Sequence, residues 1–285
     1  MSFSFSLVLC AGRKKMNMQS QKPIGIFDSG IGGLTLASQI SNLLPSENIL
    51  YFGDTAHLPY GDKSTAAIQA YSVRISQFLL DRGVKAILIA CNSASAAAYE
   101  LVREYVGNKA LVFNVIDSVV EHVATEYAGK KVGLIGTKQT VNSDIFGRKV
   151  AETGAGIELK SLATPLLAPM IEEGFFNNKI SLNIIEEYLR NPELDQISSI
   201  ILACTHYPLI AAQIDSYFEG KVDIVDSSRI VARQVQASLK EAGLLNTGAE
   251  GRREFFVSDY TAAFENATQI FFGGKVSLQH FPLWD

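Results

Sequence analysis

Short apolar runs alternate along the chain with longer amphipathic stretches. The apolar runs have the length of buried strands, and the clearest of them cover residues 24–27, 49–52 and 85–90. The amphipathic stretches that follow have helical spacing and cover residues 34–44, 64–81 and 94–106. This alternation predicts βαβ units and an α/β fold with mostly parallel strands.

The second half of the chain repeats landmarks of the first. Residues 130–137 are similar to the first strand and its glycine turn, and residues 200–203 match the apolar run at 87–90. After each of those two runs comes an apolar pair with Asp-Ser, at residues 115–118 and 224–227. Matches in the same order predict two similar parallel-sheet domains, related by pseudo-twofold symmetry, with an active site in the cleft between them.

The Asp-Ser pairs close each repeat, so we place the domain boundaries there. The first domain is predicted to contain residues 23–116 and 227–285, and the second residues 117–226. Residues 1–22 are interpreted as a disordered extension or as the result of an upstream start, in which case we expect the protein to begin at Met16 or Met18. Their apolar part is short, and basic residues follow it instead of preceding it, which does not fit a secretory signal.

Composition excludes several classes of protein. The chain has 285 residues, of which 47% are hydrophobic and 19% charged, enough apolar surface for a sizeable core. A net charge of −4 without a basic cluster argues against nucleic acid as a partner, and no apolar run could span a bilayer. Three cysteines argue against a disulfide framework and favour a reducing compartment, so we expect a cytoplasmic protein. Four scattered histidines show no metal-ligand spacing.

Two of the cysteines end the two matching apolar runs. Cys91 follows residues 87–90 and Cys204 follows residues 200–203, so each thiol should lie at the carboxyl edge of a buried strand. Ligands of parallel α/β sheets bind beyond that edge, where helix N-termini favour carboxylates or phosphates. Polar residues occupy the same edge, at Asp28, Ser29, Asn92, Ser93, Thr205 and His206.

The glycine turn at residues 30–33 and the acid Asp54 suggest a dinucleotide fold, but the motif is incomplete. Thr35 stands where the third glycine should be, and Asp28 would place a negative charge beside the pyrophosphate. The pair of thiols leaves three uses open on residues alone: redox exchange, packing in the core, and proton transfer at carbon by two opposed bases.

Six motifs in chain order carry a resemblance to a known family. They are GIFDSGIGGL at 25–34, GDTAHLPYG at 53–61, ACNSAS at 90–95, IGTKQT at 135–140, TPLLAPMIE at 164–172 and ACTHYPL at 203–209. With them, the chain from Pro23 to about Gly273 resembles the bacterial glutamate racemases, in the superfamily of cofactor-independent amino acid racemases.

The resemblance implies interconversion of L- and D-glutamate, without metal or cofactor, that supplies D-glutamate for peptidoglycan. It implies that Cys91 and Cys204 exchange protons with opposite faces of the α-carbon. Asp28 would assist Cys91, and Glu172 and His206 would assist Cys204. The residues implied to bind the substrate are Asp28, Ser29, Tyr60, Gly61, Asn92, Ser93, Thr137, Thr140, Thr205 and His206.

The chain departs from the family pattern in places. The family commonly has Thr at position 93 and Arg at positions 57 and 63, where this chain has Ser93, His57 and Lys63. A serine hydroxyl makes the same hydrogen bond as threonine, so we expect function to survive. A subset of the family is activated by a cell-wall nucleotide precursor. The sequence does not decide whether this chain binds such an activator or whether it forms a homodimer.

Three rival functions stay open. The nearest is an aspartate or broad-specificity racemase with the same thiols. A thiol oxidoreductase would form and break a Cys91–Cys204 disulfide during turnover. A non-enzymatic anion-binding module would bind a dicarboxylate without exchange of the α-proton.

Overall fold

Strands and helices alternate through the computed structural model, which describes residues 18–274 and 276–285. The elements up to residue 116 are β1 (Ile24–Asp28), α1 (Leu34–Leu43), β2 (Ile49–Gly53), α2 (Thr65–Asp81), β3 (Ala86–Ile89), α3 (Asn92–Val106) and β4 (Leu111–Asn114). Those from 117 to 226 are α4 (Asp117–Glu126), β5 (Lys131–Gly136), α5 (Lys138–Asn142), α6 (Ile145–Glu152), β6 (Glu158–Ala163), α7 (Leu167–Glu172), α8 (Lys179–Leu189), β7 (Ser199–Ala203), α9 (Ala211–Tyr217) and β8 (Asp223–Val225). The remaining elements are α10 (Ser227–Glu241), β9 (Arg253–Val257), α11 (Ala262–Phe272) and β10 (Leu278–His280).

Two parallel sheets carry the fold. Among the described residues, the first sheet has six strands in the order β10-β9-β2-β1-β3-β4, and the second has four in the order β6-β5-β7-β8. Neighbouring strands run parallel in both sheets. The order β2-β1-β3-β4 recurs as β6-β5-β7-β8, so the prediction of two similar parallel α/β units is confirmed.

Strand register brings the chemically interesting residues to one edge of each sheet. Asp28 at the end of β1 lies opposite Gly53 of β2, and β3 ends beside β1, just before Cys91. In the second sheet, Ala203 ends β7 opposite Gly136 of β5, immediately before Cys204. Strands β1, β3 and β7 are buried along their whole length, which explains why their sequences are apolar throughout.

The last part of the chain returns to the first sheet. Strand β9 pairs with β2, and β10 extends the sheet beyond β9. The predicted boundaries, near residues 116 and 226, separate the strands of one sheet from those of the other. We propose them as the boundaries of two domains, called below the first and the second domain.

The predicted extension, residues 1–22, is described only from residue 18. Residues 18–22 form a turn in which Ser20 is buried, and its carbonyl oxygen accepts a hydrogen bond of 2.5 Å from Lys85 Nζ. These five residues therefore belong to the folded part of the chain, not to a disordered segment. Cys10 and Met16 lie outside the described residues. No helix within residues 18–274 or 276–285 is both long and apolar enough to cross a membrane.

Candidate active site

Asp28 ends β1 with a fully buried carboxylate. Its Oδ2 accepts hydrogen bonds from the backbone N–H groups of Gly30 (3.1 Å) and Gly33 (3.0 Å), which fixes the turn before α1. Burial raises the pKa of the Asp28 carboxyl, against the lowering effect of His206 and the two N–H donors. The other oxygen, Oδ1, lies 3.5 Å from the Thr205 hydroxyl. Asp28 thus shapes the turn and also reaches a residue of the second domain.

Cys91 is the N-cap residue of α3. Its Sγ accepts a hydrogen bond of 3.5 Å from Ala94 N–H. The Cys91 thiol also donates a hydrogen bond to Ser29 Oγ, at 3.6 Å. Burial, together with the charge of Asp28, raises the pKa of Cys91 to about 12, and the contacts with Ala94 and Ser29 offset only part of this shift. At neutral pH, Cys91 is therefore a neutral thiol and a proton donor.

Cys204 faces a basic partner instead. Its Sγ lies 3.5 Å from His206 Nδ1, and His206 Nε2 lies 2.8 Å from Glu172 Oε1, at the end of α7. The carboxylate stands outside the direction of the ring N–H, so this contact is an ion pair and not a well-directed hydrogen bond. Burial opposes charge on His206, but Cys204 and Glu172 outweigh it and raise the pKa of His206 well above its ordinary value. The charged imidazolium of His206 therefore lies next to the Cys204 sulfur.

Three hydroxyl groups meet where the two domains touch. Ser93 Oγ lies 2.8 Å from Thr137 Oγ1 and 3.4 Å from Thr140 Oγ1, and the two threonine hydroxyls are 3.1 Å apart. Ser93 belongs to α3 of the first domain, whereas Thr137 caps α5 of the second. Gly61 packs against the same threonine, since a Cβ atom on Gly61 would lie 2.8 Å from Thr137 Cβ.

Asn92 and Tyr60 offer different groups to the site. Asn92 Oδ1 is buried and, within the part of the chain that the structure describes, has no hydrogen-bond partner. It is a free acceptor suited to an N–H donor such as an ammonium group. The Tyr60 hydroxyl, by contrast, donates to Asp54 Oδ2 at 2.6 Å. Tyr60 can therefore line the site, but its hydroxyl proton is already bound to Asp54.

One cavity brings the predicted residues together. It is lined by Ser29, Pro59, Tyr60, Gly61, Cys91, Asn92, Ser93, Thr137, Ala168, Glu172, Cys204, Thr205 and His206. Asp28 and Thr140 are not in its wall. Asp28 contacts Thr205 and Thr140 contacts Ser93, and both of those partners are wall residues. The volume is about 20 Å³, room for about one water molecule. An amino acid could bind only after the cavity widens.

The sequence did not single out Pro59 and Ala168 among the wall residues. Both are apolar and carry no chemical signal of their own, although they lie inside quoted motifs. Both cysteines of the cavity are free thiols in the structure. Among residues 18–274 and 276–285, no group of three or more His, Cys, Asp or Glu side chains is arranged to hold a metal ion.

Comparison with known proteins shows to which family this chain belongs. Residues 35–235 match the family described as Asp/Glu/Hydantoin racemase. The chain belongs to that racemase family. The resemblance read from the sequence motifs is confirmed, and with it the assignment of the chain to the isomerases.

Members of the racemase family match over nearly the whole chain. The glutamate racemase of Neisseria meningitidis is 39% identical, covering 90% of this chain and 95% of its own length. Glutamate racemase 3 of Caldanaerobacter subterraneus is 36% identical, covering 92% and 95%. The crystal structure of glutamate racemase from Francisella tularensis in complex with D-glutamate is 37% identical, with a TM-score of 0.87, covering 93% of this chain and 99% of that one.

Proposed function

We propose that this chain is a glutamate racemase in which two thiols transfer protons at opposite faces of the α-carbon. The observation that carries the proposal is the placement of the thiols. Cys91 and Cys204 follow corresponding strands of two similar sheets and line the same small cavity. The preference for glutamate rests on the relatives that are named for it.

The unequal surroundings of the thiols define one direction of the reaction. Cys204, beside the imidazolium of His206, supplies a thiolate that removes the α-proton and becomes a thiol. Cys91, a neutral thiol, then donates its proton to the opposite face of the carbanion and becomes a thiolate. This second state has Cys91 as the base and Cys204 as the acid, so it is ready for the other enantiomer. Proton exchange with solvent restores the first state.

Removal of an α-proton needs stabilisation of the developing carbanion. The hydroxyls of Ser93 and Thr137 can rotate to donate hydrogen bonds to a substrate carboxylate, with Thr140 Oγ1 behind them as their partner. Asn92 Oδ1 can accept a hydrogen bond from the ammonium group. Residues of both domains line the cavity, so a widened cavity that closes around the substrate would exclude bulk water, which strengthens each of these interactions.

The product of this reaction in one direction is D-glutamate, and we propose that the chain supplies it for peptidoglycan synthesis. The proposed small-molecule substrate is therefore glutamate. A cytoplasmic location, a homodimer and a cell-wall precursor activator stay predictions.

The decisive experiment is incubation of the purified chain with L-glutamate in deuterated water, without added cofactor. Chiral chromatography should show D-glutamate rising until the enantiomers are equal, and mass spectrometry should show deuterium at its α-carbon. Faster racemisation of aspartate than of glutamate would favour the aspartate racemase. Turnover through a Cys91–Cys204 disulfide would favour the oxidoreductase, and binding without deuterium exchange would favour the anion-binding module.

A further inference from the structure

The carboxylate of Asp54 collects hydrogen bonds from distant parts of the first domain. Asp54 follows β2 and is fully buried. Its Oδ1 accepts hydrogen bonds from Trp284 Nε1 (2.8 Å) and from the Ser258 hydroxyl (2.7 Å). Its Oδ2 accepts the Tyr60 hydroxyl (2.6 Å) and lies 3.0 Å from His57 Nδ1. These donors use both oxygens, so Asp54 has no role as the ribose-binding acid that the sequence had suggested.

Two of the donors lie after the last strands of the sheet. Ser258 follows β9, and Trp284 follows β10 at its outer edge. A second set of bonds joins the same segments: the Thr55 hydroxyl donates to the Asp259 carbonyl (2.5 Å), and Asp259 N–H donates to Thr55 Oγ1 (2.9 Å). The loop that begins at Asp54 is thus attached to the returning part of the chain.

Aromatic rings enclose this attachment. His57 stacks on Tyr71 of α2 with ring centroids 4.0 Å apart, and it meets Trp284 edge-on at 4.6 Å. Trp284 also contacts Tyr71 edge-on at 5.3 Å. Such packing holds the rings in fixed orientations and keeps water away from the Asp54 carboxylate.

The loop attached in this way forms one wall of the cavity. Residues 59–61 line it, and Gly61 packs against Thr137 of the second domain. Tyr60 is 1% exposed, and burial followed by the charge of Asp54 raises its pKa well above the ordinary value, so its hydroxyl stays a donor to Asp54. The proposed proton transfer itself uses neither Asp54 nor Trp284.

We propose that Asp54 is a positioning residue for the racemase reaction, holding residues 59–61 against the substrate by joining Tyr60 to Trp284 and Ser258. The inference rests on the proposed function. The Asp54 carboxylate acts through Tyr60 and Gly61, which touch the cavity, and Trp284 acts through Asp54. Loss of either should loosen the wall that contacts Thr137 and so weaken substrate binding.

Glu47 provides a matched control. It is another buried carboxylate of the first domain, bound by Lys85 Nζ and by Asn246 N–H, but it lies before β2, at the opposite end of the sheet from the cavity. Asp54→Asn and Glu47→Gln each replace one buried carboxylate oxygen by a donor NH₂ group. Both substitutions should lower the melting temperature, because the new NH₂ group faces hydrogen-bond donors that the carboxylate oxygen had accepted from.

The test measures KM, kcat and melting temperature for Asp54→Asn, Glu47→Gln and Trp284→Phe with glutamate. We expect kcat/KM to fall about 10- to 100-fold in Asp54→Asn, mainly through KM, since small misplacement of a binding wall has effects of this size. Trp284→Phe keeps an aromatic ring and should change KM in the same direction but less. Glu47→Gln should keep the KM of the parent. In the double variant with Tyr60→Phe and Trp284→Phe, the effects of the two substitutions on KM should not add.

Equal melting temperatures for Asp54→Asn and Glu47→Gln, with an unchanged KM in both, would reduce Asp54 to a fold-stabilising residue and overturn the proposal. If the parent chain does not racemise glutamate, the proposed function fails separately. Hydrogen–deuterium exchange of residues 55–63 then decides the positioning role. Faster exchange in Trp284→Phe than in the parent, with no change in Glu47→Gln, supports it, and identical exchange in all three refutes it.

Discussion

A Cβ atom on Gly32 would lie 2.5 Å from Cε1 of His206, well inside van der Waals contact. The same atom would lie 2.6 Å from Thr205 Oγ1. Gly32 belongs to the turn after β1 in the first domain, whereas Thr205 and His206 follow β7 in the second. The missing side chain is what allows the two domains to come together at this point.

We expect Gly32→Ala to lower kcat/KM about 100-fold, because the methyl group must displace His206 from Cys204 and Glu172. Gly30→Ala is the matched control in the same turn, since its Cβ would meet nothing closer than 3.7 Å. That variant should keep nearly the parent activity. Steady-state kinetics of both variants provide the check, and equal losses in the two would contradict the steric explanation.

The proposed two-thiol mechanism makes each cysteine of the cavity indispensable. Cys91→Ala and Cys204→Ala should each lose about 10²- to 10⁴-fold in kcat, the usual contribution of a general acid or base. Their far-ultraviolet circular dichroism should match that of the parent. Cys10→Ala controls for cysteine removal as such and should be fully active. Near-parent activity in either cavity variant would refute the mechanism.

The two thiols should differ in reactivity although they are equally buried, at 6% and 5% exposure. Cys91 faces the Asp28 carboxylate, and Cys204 faces the His206 imidazolium. Since the thiolate is the nucleophile, iodoacetamide should modify Cys204 faster than Cys91 at neutral pH. Peptide mass spectrometry over time measures both rates in one sample. His206→Gln should remove most of the difference, and a faster Cys91 in the parent would contradict the assignment.

The sequence predicted the placement of the thiols because the information is local. An apolar run of four or five residues fixes where a buried strand ends, and the next residue then lies at the carboxyl edge of the sheet. Small errors at helix ends have equally local causes. The sequence predicted α3 from residue 94, but it begins at Asn92, because the Cys91 thiol caps its first turn.

Other features depend on distant partners and could not be read from a local pattern. Strand β10 has three residues, too few for a period, and it exists through pairing with β9. The ring of His57 is packed against Tyr71 and Trp284. Those contacts join segments that are far apart in sequence.

The raised pKa of Cys91 has a consequence for stability at high pH. Its pKa is about 12 in the folded chain and near the ordinary value of 9.0 in the unfolded chain. Above about pH 9, the unfolded chain therefore releases the thiol proton while the folded chain keeps it. The unfolded state then binds fewer protons, so the free energy of unfolding falls as the pH rises between these two values.

This loss should be absent in Cys91→Ala. The difference in unfolding free energy between the parent and this variant should change by up to about 1.4 kcal/mol per pH unit above about pH 9, in favour of the variant. Urea unfolding of both proteins from about pH 8 to about pH 10.5 measures it, with the other ionisable groups common to both. A difference that is constant with pH would show that Cys91 titrates alike in both states.

Lys85 supports the end of the first sheet that lies away from the cavity. Its buried ammonium group contacts the Glu47 carboxylate and donates to the carbonyl oxygens of Ser20 (2.5 Å) and Leu244 (2.9 Å). Lys85→Met would leave the Glu47 carboxylate buried without its counter-charge, which costs about 3–5 kcal/mol. The folded fraction should keep the parent KM, because no cavity residue touches this pair.

Lys240→Met at an exposed position is the control for loss of a lysine, and it should change stability by less than about 0.5 kcal/mol. Urea unfolding of the two variants and the parent at neutral pH gives the comparison. A cost for Lys85→Met as small as that for Lys240→Met would mean that Glu47 takes up a proton or finds another donor. The segments around Ser20 and Leu244 would then be held by packing, and not by the lysine that joins them.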